Sequence, residues 1–225
     1  AMGLPIITTA AYLFLYNPSV RDVVTGTQSN FETSGGFGPN QVSTILGLGI
    51  FLFFAKVMIM SPSKKAKYID IILLVMVTFR GIVTFSRGGI IAGGIMIVLL
   101  LVILLMMTKS QAKSKITSFI VMAVVLLIGV WTYSSVQTGG LIDKRYANQD
   151  ARGRVKESKL TGRERLIEAE VQMFLDNPIT GIGVGKNKEY REEMTGIEAA
   201  SHNEISRMLA EHGLLGVINL LILLI

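Results

Sequence analysis

"DIILLVMVTFRGIVTFSRGGIIAGGIMIVLLLVILLMM", residues 70–107, consists of two apolar runs separated by a short polar break. Each run approaches the roughly 20 residues that an α-helix needs to cross a bilayer. Arg80 lies inside the first run, and Arg87 lies at the break, directly before Gly88 and Gly89. The pattern predicts two membrane helices joined by a tight turn, with both arginines near that turn.

Similar apolar runs recur along the 225-residue chain, half of whose residues are hydrophobic. This distribution predicts an all-α protein, a polytopic bundle of transmembrane helices with one large extracytoplasmic loop that contains short helices. The two runs at the chain ends are short, so we expect a fragment of a larger membrane protein. The predicted spans are residues 42–60, 69–85, 90–107 and 116–132, with truncated runs at 4–16 and 213–225.

Two short loops each carry three lysines and no acidic residue. Because two spans separate these loops, they share one side of the membrane, and short lysine-rich loops stay cytoplasmic. The remaining loops, including the turn before Arg87, then face outward. The lysine-rich loops are residues 61–68, with Lys64, Lys65 and Lys67, and residues 108–115, with Lys109, Lys113 and Lys115.

Three regions follow from this topology. Transmembrane helices occupy residues 1–132, an outward-facing loop occupies 133–212, and a further transmembrane helix begins at 213–225. The net charge of +6 comes largely from the two lysine-rich loops, so it does not indicate a nucleic-acid partner. The chain has no cysteine, which excludes disulfides and thiolate metal sites. ATP-driven chemistry is not expected on the outer side, so an energy-rich substrate would arrive already activated, on a lipid.

Arg80 and Arg87 are seven residues apart, two helical turns, and share a face if the helix continues. An arginine at the bilayer centre costs about 2.5–3.5 kcal/mol on the insertion scale, but Arg80 lies close enough to the outward end of its run to snorkel, so its cost is lower. A planar guanidinium can make two parallel hydrogen bonds to phosphate oxygens. The pair predicts a phosphate or diphosphate site at the outer leaflet, and the alternative role is an anchor to lipid headgroups. Gly88, Gly89, Gly93 and Gly94 would permit a tight hairpin and close helix approach.

The long loop begins with a polar, charged stretch, residues 133–160, for which we expect partial order at best and no chemistry. Thr161 and Glu164 then form a T-x-x-E capping box, which predicts a helix ending at the Asp-Asn-Pro of residues 176–178. Its apolar side would consist of Leu166, Ile167, Val171 and Phe174, with Met173 nearby.

Arg163 and Arg165 fall in the first turn of that helix, where the helix dipole disfavours cations. They either lie on a solvated face, where Arg165 could pair with Glu168, or bind an anionic ligand. The glycine-rich "DNPITGIGVG", residues 176–185, fits neither a P-loop nor a dinucleotide-binding pattern. It predicts a turn that folds the loop back, with backbone amides available to an acceptor.

The segment "SHNEISRMLAEHGLLG", residues 201–216, contains an S-x-x-E capping box from Ser201 to Glu204. His202 would then occupy the first helical position, where the positive end of the helix dipole opposes protonation. A neutral imidazole there could act as general base on a sugar hydroxyl. The alternative is an ordinary residue of a capped helix at the interface, and we expect His212 to be structural.

Further along this segment, Asn203 and Arg207 share a face, and Arg207 could pair with Glu211. Gly213 is suited to end the helix, and Gly216 would let the next helix begin close to its neighbours.

His202-Asn203, followed after nine residues by Gly213-Leu214-Leu215-Gly216, resembles the signature of the O-antigen ligase and polysaccharide polymerase family. "TFSRGG", "DNPITGIGVG" and the upstream "GGFGPNQVS" are also similar to recurring segments of that family. The resemblance covers most of residues 35–225.

The resemblance implies an integral enzyme of the bacterial inner membrane with one large periplasmic loop. It implies inverting transfer of a glycan from an undecaprenyl-diphosphate carrier to a hydroxyl of lipid A core or of a growing glycan, with no metal and no other cofactor. His202 and Arg87 would be catalytic, and Arg87 and Arg80 would bind the diphosphate. Arg163 and Arg165 are further candidates for diphosphate binding, from their position in the helix that they begin. The supporting residues would be Ser201, Asn203, Glu204, Arg207, Gly213 and Gly216.

Ligase and repeat-unit polymerase remain open alternatives, because they differ only in the acceptor. A polysaccharide transporter or flippase is a third possibility. Its sites lie near the bilayer midplane, whereas the arginines here lie near one face. A non-catalytic membrane scaffold is the fourth.

Overall fold

The computed structural model describes residues 3–16, 19–29, 31–108, 110–156, 163–196, 201 and 203–223. Across these ranges the chain is helical and forms no strand beyond one isolated bridge between Gln149 and Val155. The chain divides into two compact units, Ala1–Val155 and Lys156–Ile225. The prediction of an all-α bundle of membrane-length helices is confirmed.

The first unit contains seven α-helices in its described part. They are α1 (Gly3–Tyr16), α2 (Val20–Val23), α3 (Pro39–Ala55), α4 (Lys64–Val83), α5 (Arg87–Met107), α6 (Ser110–Gln137) and α7 (Leu141–Tyr146), with a 3-10 turn at Glu32–Ser34 and a π-helical turn at Lys56–Met60. The second unit contains α8 (Arg163–Asp176), α9 (Asn187–Thr195), α10 (Glu204–His212) and α11 (Leu214–Leu223).

Three described segments are long and apolar enough to cross a membrane, Glu32–Met60, Arg87–Met107 and Ile116–Gln137. Each contains one of the predicted spans. The fourth predicted span, residues 69–85, overlaps α4 and runs two residues past its end; α4 also carries Lys67, Asp70 and Arg80. The outward surfaces of α5 and α6 are rich in exposed Ile, Leu and Val side chains, as expected of helix faces that meet lipid.

Helices α3 and α5 pack through glycine backbones. A Cβ atom on Gly89 would lie 2.2 Å from the carbonyl oxygen of Ser43, and one on Gly47 would lie 2.0 Å from that of Gly89. A Cβ atom on Gly93 would lie 2.5 Å from the oxygen of Gly47. Small residues four apart on each helix thus allow main-chain contact, the arrangement that joins many membrane helices.

Only part of the predicted glycine set takes part in this contact. Nothing lies within 4 Å of a Cβ atom built on Gly88 or Gly94. Their predicted role in close helix approach is therefore wrong, because they face away from α3.

The hairpin between α3 and α4 is closed by an ion pair at the end opposite Arg87. Lys56 Nζ donates to Asp70 Oδ1 at 2.7 Å, and Ser61 Oγ donates to Asp70 Oδ2 at 3.1 Å. The carboxylate is buried, whereas the side chain of Lys56 remains about half exposed. A buried acid in a membrane bundle needs such partners, since an unpaired one would cost several kcal/mol.

The chain after α6 is folded where we expected partial order at best. Helix α7 buries Ile142 and Arg145, and Asp150 closes the next turn by accepting the backbone amides of Arg152 and Arg154. The amide of Arg154 foremost holds the pKa of Asp150 below its ordinary value. The expectation is wrong for residues 133–156, and residues 157–160 lie outside the described part of the chain.

The matched substitutions Gly89→Ala and Gly94→Ala test the contact between α3 and α5. Both lie in α5 and both gain about 1 kcal/mol of helix propensity. Only Gly89→Ala places a methyl group against the backbone of Ser43, so overpacking of about 1–3 kcal/mol should lower its unfolding temperature in detergent below that of Gly94→Ala. Equal unfolding temperatures for the two variants would contradict the packing described here.

Candidate functional site

A three-residue turn, Thr84 to Ser86, separates α4 from α5 and places Arg87 at the start of α5. Phe85 adopts a positive φ of 59° and is 1% exposed. Thr84 Oγ1 donates to Gly81 O at 2.7 Å and accepts the amide of Ser86 at 3.2 Å. A shared helical face for Arg80 and Arg87 would require one continuous helix. Because the break at residues 84–86 separates α4 from α5, the prediction of a shared face is wrong.

Helix α3 holds this turn from one side. Ser43 Oγ donates to the carbonyl of Ser86 at 2.8 Å, and Ser86 Oγ donates to Asn40 Oδ1 at 2.9 Å. Ser43 and Ser86 are buried, so these bonds form away from solvent. A buried polar group without a partner is costly, and these bonds therefore fix the backbone directly before Arg87.

Helix α7 holds the same turn from the other side. Arg145 Nε donates to the carbonyl of Phe85 at 2.9 Å. The main-chain carbonyl of Arg145 in turn accepts a hydrogen bond from Arg87 Nη1 at 3.4 Å. Arg87 is partly exposed, whereas Arg145 is buried. Sequence reasoning missed Arg145, because it lies in a charged stretch that suggests a solvated loop.

An aromatic corner borders Arg87. The rings of Trp131 and Tyr146 meet edge to face with centroids 4.8 Å apart. Burial raises the pKa of the Tyr146 hydroxyl, and the nearby charges of Arg87 and Arg145 act in the opposite direction without cancelling this effect. Tyr146 is therefore a neutral phenol at physiological pH. The corner combines cationic groups with a hydroxyl donor, a combination suited to an anionic ligand.

Arg80 lies in the interior of the unit. It is 1% exposed, and its Cζ atom is 4.3 Å from the ring centroid of Phe14 and 5.9 Å from that of Phe79. These are cation–π distances, so aromatic faces of α1 and α4 stabilise the guanidinium. A group covered to this extent does not anchor to lipid headgroups, which removes that alternative. Its assignment to diphosphate binding remains a prediction.

The second unit is organised around a buried carboxylate, Glu170 on α8. Arg191 Nη2 of α9 donates to Glu170 Oε1 at 2.7 Å, and Ser206 Oγ of α10 donates to Glu170 Oε2. Asn187 Oδ1 also accepts from Arg191 Nη2. The side chains of Glu170 and Arg191 are 1% and 0% exposed. Three helices are thus joined through one acid.

This arrangement corrects the predicted apolar side of α8. The buried positions are Leu166, Ala169, Glu170 and Met173, whereas Val171 is 39% exposed. Ile167 and Phe174 are only partly buried. The predicted apolar side left out Glu170, yet this residue lies four residues after Leu166 and three before Met173, on their face.

The glycine-rich loop before α9 binds the end of α10 instead of presenting its amides. The amide of Ile182 donates to Ala210 O at 2.9 Å, and that of Gly183 donates to Glu211 O at 3.2 Å. These carbonyls belong to the last turn of α10, which leaves them without partners inside the helix. The amides of Ile182 and Gly183 are therefore not available to an acceptor, contrary to the prediction.

Two glycines allow the loop and the helix end to touch. A Cβ atom on Gly181 would lie 2.4 Å from the carbonyl of Glu211, and one on Gly213 would lie 2.6 Å from Pro178 O. Gly213 has a positive φ of 58° and follows the last residue of α10, which confirms the predicted stop. Gly216 approaches α10 itself, since its Cβ atom would lie 2.2 Å from Met208 O.

Helix α10 begins two residues later than predicted. Asn203 is its N-cap, and its side-chain oxygen accepts the amide of Ile205 at 3.0 Å. Ser201 instead bonds to the backbone of Asn203, donating to its carbonyl at 3.2 Å. The predicted cap at Ser201 and first helical position for residue 202 are wrong, because asparagine caps as well as serine does. His202 itself lies outside the described residues.

The remaining predicted site residues are dispersed over the second unit. Arg207 pairs with Glu204 at 2.8 Å, so the predicted pairing with Glu211, which is 7% exposed, is wrong. Arg165 is exposed. Thr161 and the side chain of Arg163 lie outside the described part of the chain.

Helices long and apolar enough to cross a bilayer define the class of this protein as an integral membrane protein, with Arg87 at a turn that joins two of its helices. The sequence model of the O-antigen ligase family matches residues 71–221, and the chain therefore belongs to this family. It is a ligase- or polymerase-like glycan transferase that acts on lipid-linked glycan and a glycan acceptor. The match includes Arg87 and His202, whereas the "GGFGPNQVS" segment precedes it. Comparisons with curated proteins and with solved structures give no match.

The buried carboxylate of the second unit predicts a large difference between two Glu→Gln variants. Glu170→Gln leaves Arg191 buried without its counter-charge, and the free energy of unfolding in detergent should fall by about 3–5 kcal/mol. Glu204→Gln removes an exposed ion pair and should cost less than about 1 kcal/mol. Comparable losses in chemical denaturation would show that Glu170 does not organise the unit.

Proposed function

We propose that this protein transfers a glycan from an undecaprenyl-diphosphate carrier to a sugar hydroxyl of an acceptor, at the periplasmic face of the bacterial inner membrane. The observation that carries the proposal is the placement of Arg87. Its guanidinium lies at a turn that buried hydrogen bonds from α3 and α7 hold on both sides. A fixed guanidinium at the end of a membrane-length helix is well placed to bind the phosphate groups of a lipid-linked substrate.

In the proposed reaction the acceptor oxygen attacks the anomeric carbon of the donor sugar, and the bond from that carbon to the diphosphate oxygen breaks. The acceptor proton passes to His202, acting as general base. The electron pair of the broken bond leaves with the diphosphate, whose growing negative charge Arg87 stabilises. Attack opposite the leaving group inverts the anomeric configuration. Electrostatic stabilisation by arginine needs no metal ion.

Support for the outward location comes from the two lysine-rich segments, residues 61–68 and 108–115. The first includes the start of α4 and the second includes the start of α6, so α4 and α5 each run from Arg87 or the turn before it towards one of these segments. By the positive-inside rule both segments are cytoplasmic, and Arg87 is then periplasmic. Carrier-linked glycan on that face is already activated, so transfer requires no ATP.

Arg87→Ala and His202→Ala should each reduce glycan transfer in a complementation assay while the protein still inserts in the membrane. Loss of charge-assisted hydrogen bonds worth about 1.5–3 kcal/mol corresponds to a fall of roughly tenfold or more for Arg87→Ala. Arg152→Ala, an exposed arginine in the first unit, serves as control. Near-normal transfer by both test variants would defeat the assignment.

Gel analysis of lipopolysaccharide from cells that carry an inactive variant in the complementation assay distinguishes a ligase from a polymerase. Without a ligase, long carrier-linked chains accumulate and the core stays bare. Without a polymerase, the core receives a single repeat unit. A transporter or scaffold is identified separately, because the purified protein would then form no new glycosidic bond from lipid-linked glycan and acceptor.

Cysteine labelling tests the proposed sidedness without background, because the chain has no cysteine. Arg152→Cys and Lys65→Cys each place a thiol at an exposed position. A membrane-impermeant maleimide added outside the inner membrane should label residue 152 at once and residue 65 only after lysis. The reverse pattern would place Arg87 on the cytoplasmic side and end the proposed reaction.

A further inference from the structure

Arg145 contacts the Arg87 turn twice, through its side chain and through its main chain. Its Nε donates at 2.9 Å to the carbonyl of Phe85, the positive-φ residue of the turn. Its own carbonyl accepts Arg87 Nη1 at 3.4 Å. One residue therefore bonds to the backbone that leads into Arg87 and to the guanidinium of Arg87.

The short helix that carries Arg145 is itself fixed to α6. Trp131 Nε1 donates to Asp143 Oδ1 at 2.8 Å, and Ser135 Oγ donates to Asp143 Oδ2. Thr138 Oγ1 accepts the amide of Ile142 at 3.3 Å, and Ile142 is fully buried. Because these bonds fix α7 against α6, Arg145 contacts the Phe85 turn from a rigidly held helix.

Orientation decides what an arginine can do for a diphosphate. A bidentate contact requires the edge of the guanidinium that carries two N–H groups to point at the phosphate oxygens, and a displacement of about 1 Å at such a site can cost roughly a hundredfold in rate. Arg87 could otherwise rotate about several side-chain bonds. The carbonyl of Arg145 ties one Nη1 hydrogen to a fixed point and so restricts that rotation.

We propose that Arg145 is a positioning residue for Arg87, holding both the Phe85 turn and the Arg87 guanidinium so that the donor diphosphate is bound in one orientation. This inference rests on the proposed function, since it assigns Arg145 to the donor side of that reaction. Arg145 acts through Arg87 and needs no contact with the sugar or with the acceptor.

The test uses the purified full chain, a lipid-linked glycan donor and an acceptor. Arg145→Gln should lower kcat/KM for the donor by about tenfold to a hundredfold. The KM for the acceptor should change by less than about twofold, because the contacts lie on the donor side alone. Arg145→Lys retains a cationic donor for the Phe85 carbonyl and should recover part of the loss. Arg154→Gln, an exposed arginine nine residues along the chain, should behave as wild type.

Wild-type kinetics in Arg145→Gln, or an equal rise in donor and acceptor KM, would overturn the positioning role and leave the proposed function intact. If Arg145→Gln does not fold, Arg145→Lys decides. A loss confined to the donor would then support the role, and unchanged donor kinetics would overturn it. If the wild-type chain forms no glycosidic bond, both the proposed function and this inference fail.

Discussion

The close contact between α3 and α5 is the constraint on which the rest of the first unit depends. Without side chains at Gly47, Gly89 and Gly93, the two backbones touch near the start of α5. This proximity lets Ser43 of α3 reach the carbonyl of Ser86 in the preceding turn. This turn then determines the position of the Arg87 side chain. A packing feature inside the membrane helices thus sets the position of a charged group at their end.

In the first unit, glycine contacts hold two long helices together. In the second unit, hydrogen bonds and an ion pair join the shorter helices. Glu170 joins α8, α9 and α10, and its bond to Ser206 lies one turn beyond the Asn203 cap. The glycine-rich loop satisfies the carbonyls at the opposite end of α10. The helix that follows His202 is therefore held at both ends, which supports a rigid frame directly after the proposed general base.

Hydropathy alone located the long helices, because a run of about 20 apolar residues has few other folds available. It located Arg87 as well, since a cation next to such a run is conspicuous. It missed Arg145 and Glu170, whose partners come from other helices and leave no local pattern. Ser201 and Asn203 are equally good caps two residues apart, so local preference did not select between them. Tertiary contacts made by charged residues were the information that the sequence pattern lacked.

Binding of undecaprenyl diphosphate to the purified full chain, measured by native mass spectrometry, tests most directly whether the turn between α4 and α5 holds the diphosphate. The account predicts that Arg87→Ala weakens this binding at least about tenfold, because charge-assisted bonds of about 1.5–3 kcal/mol are lost. Arg152→Ala should bind as wild type does. Equal affinities for wild type and Arg87→Ala would contradict the account.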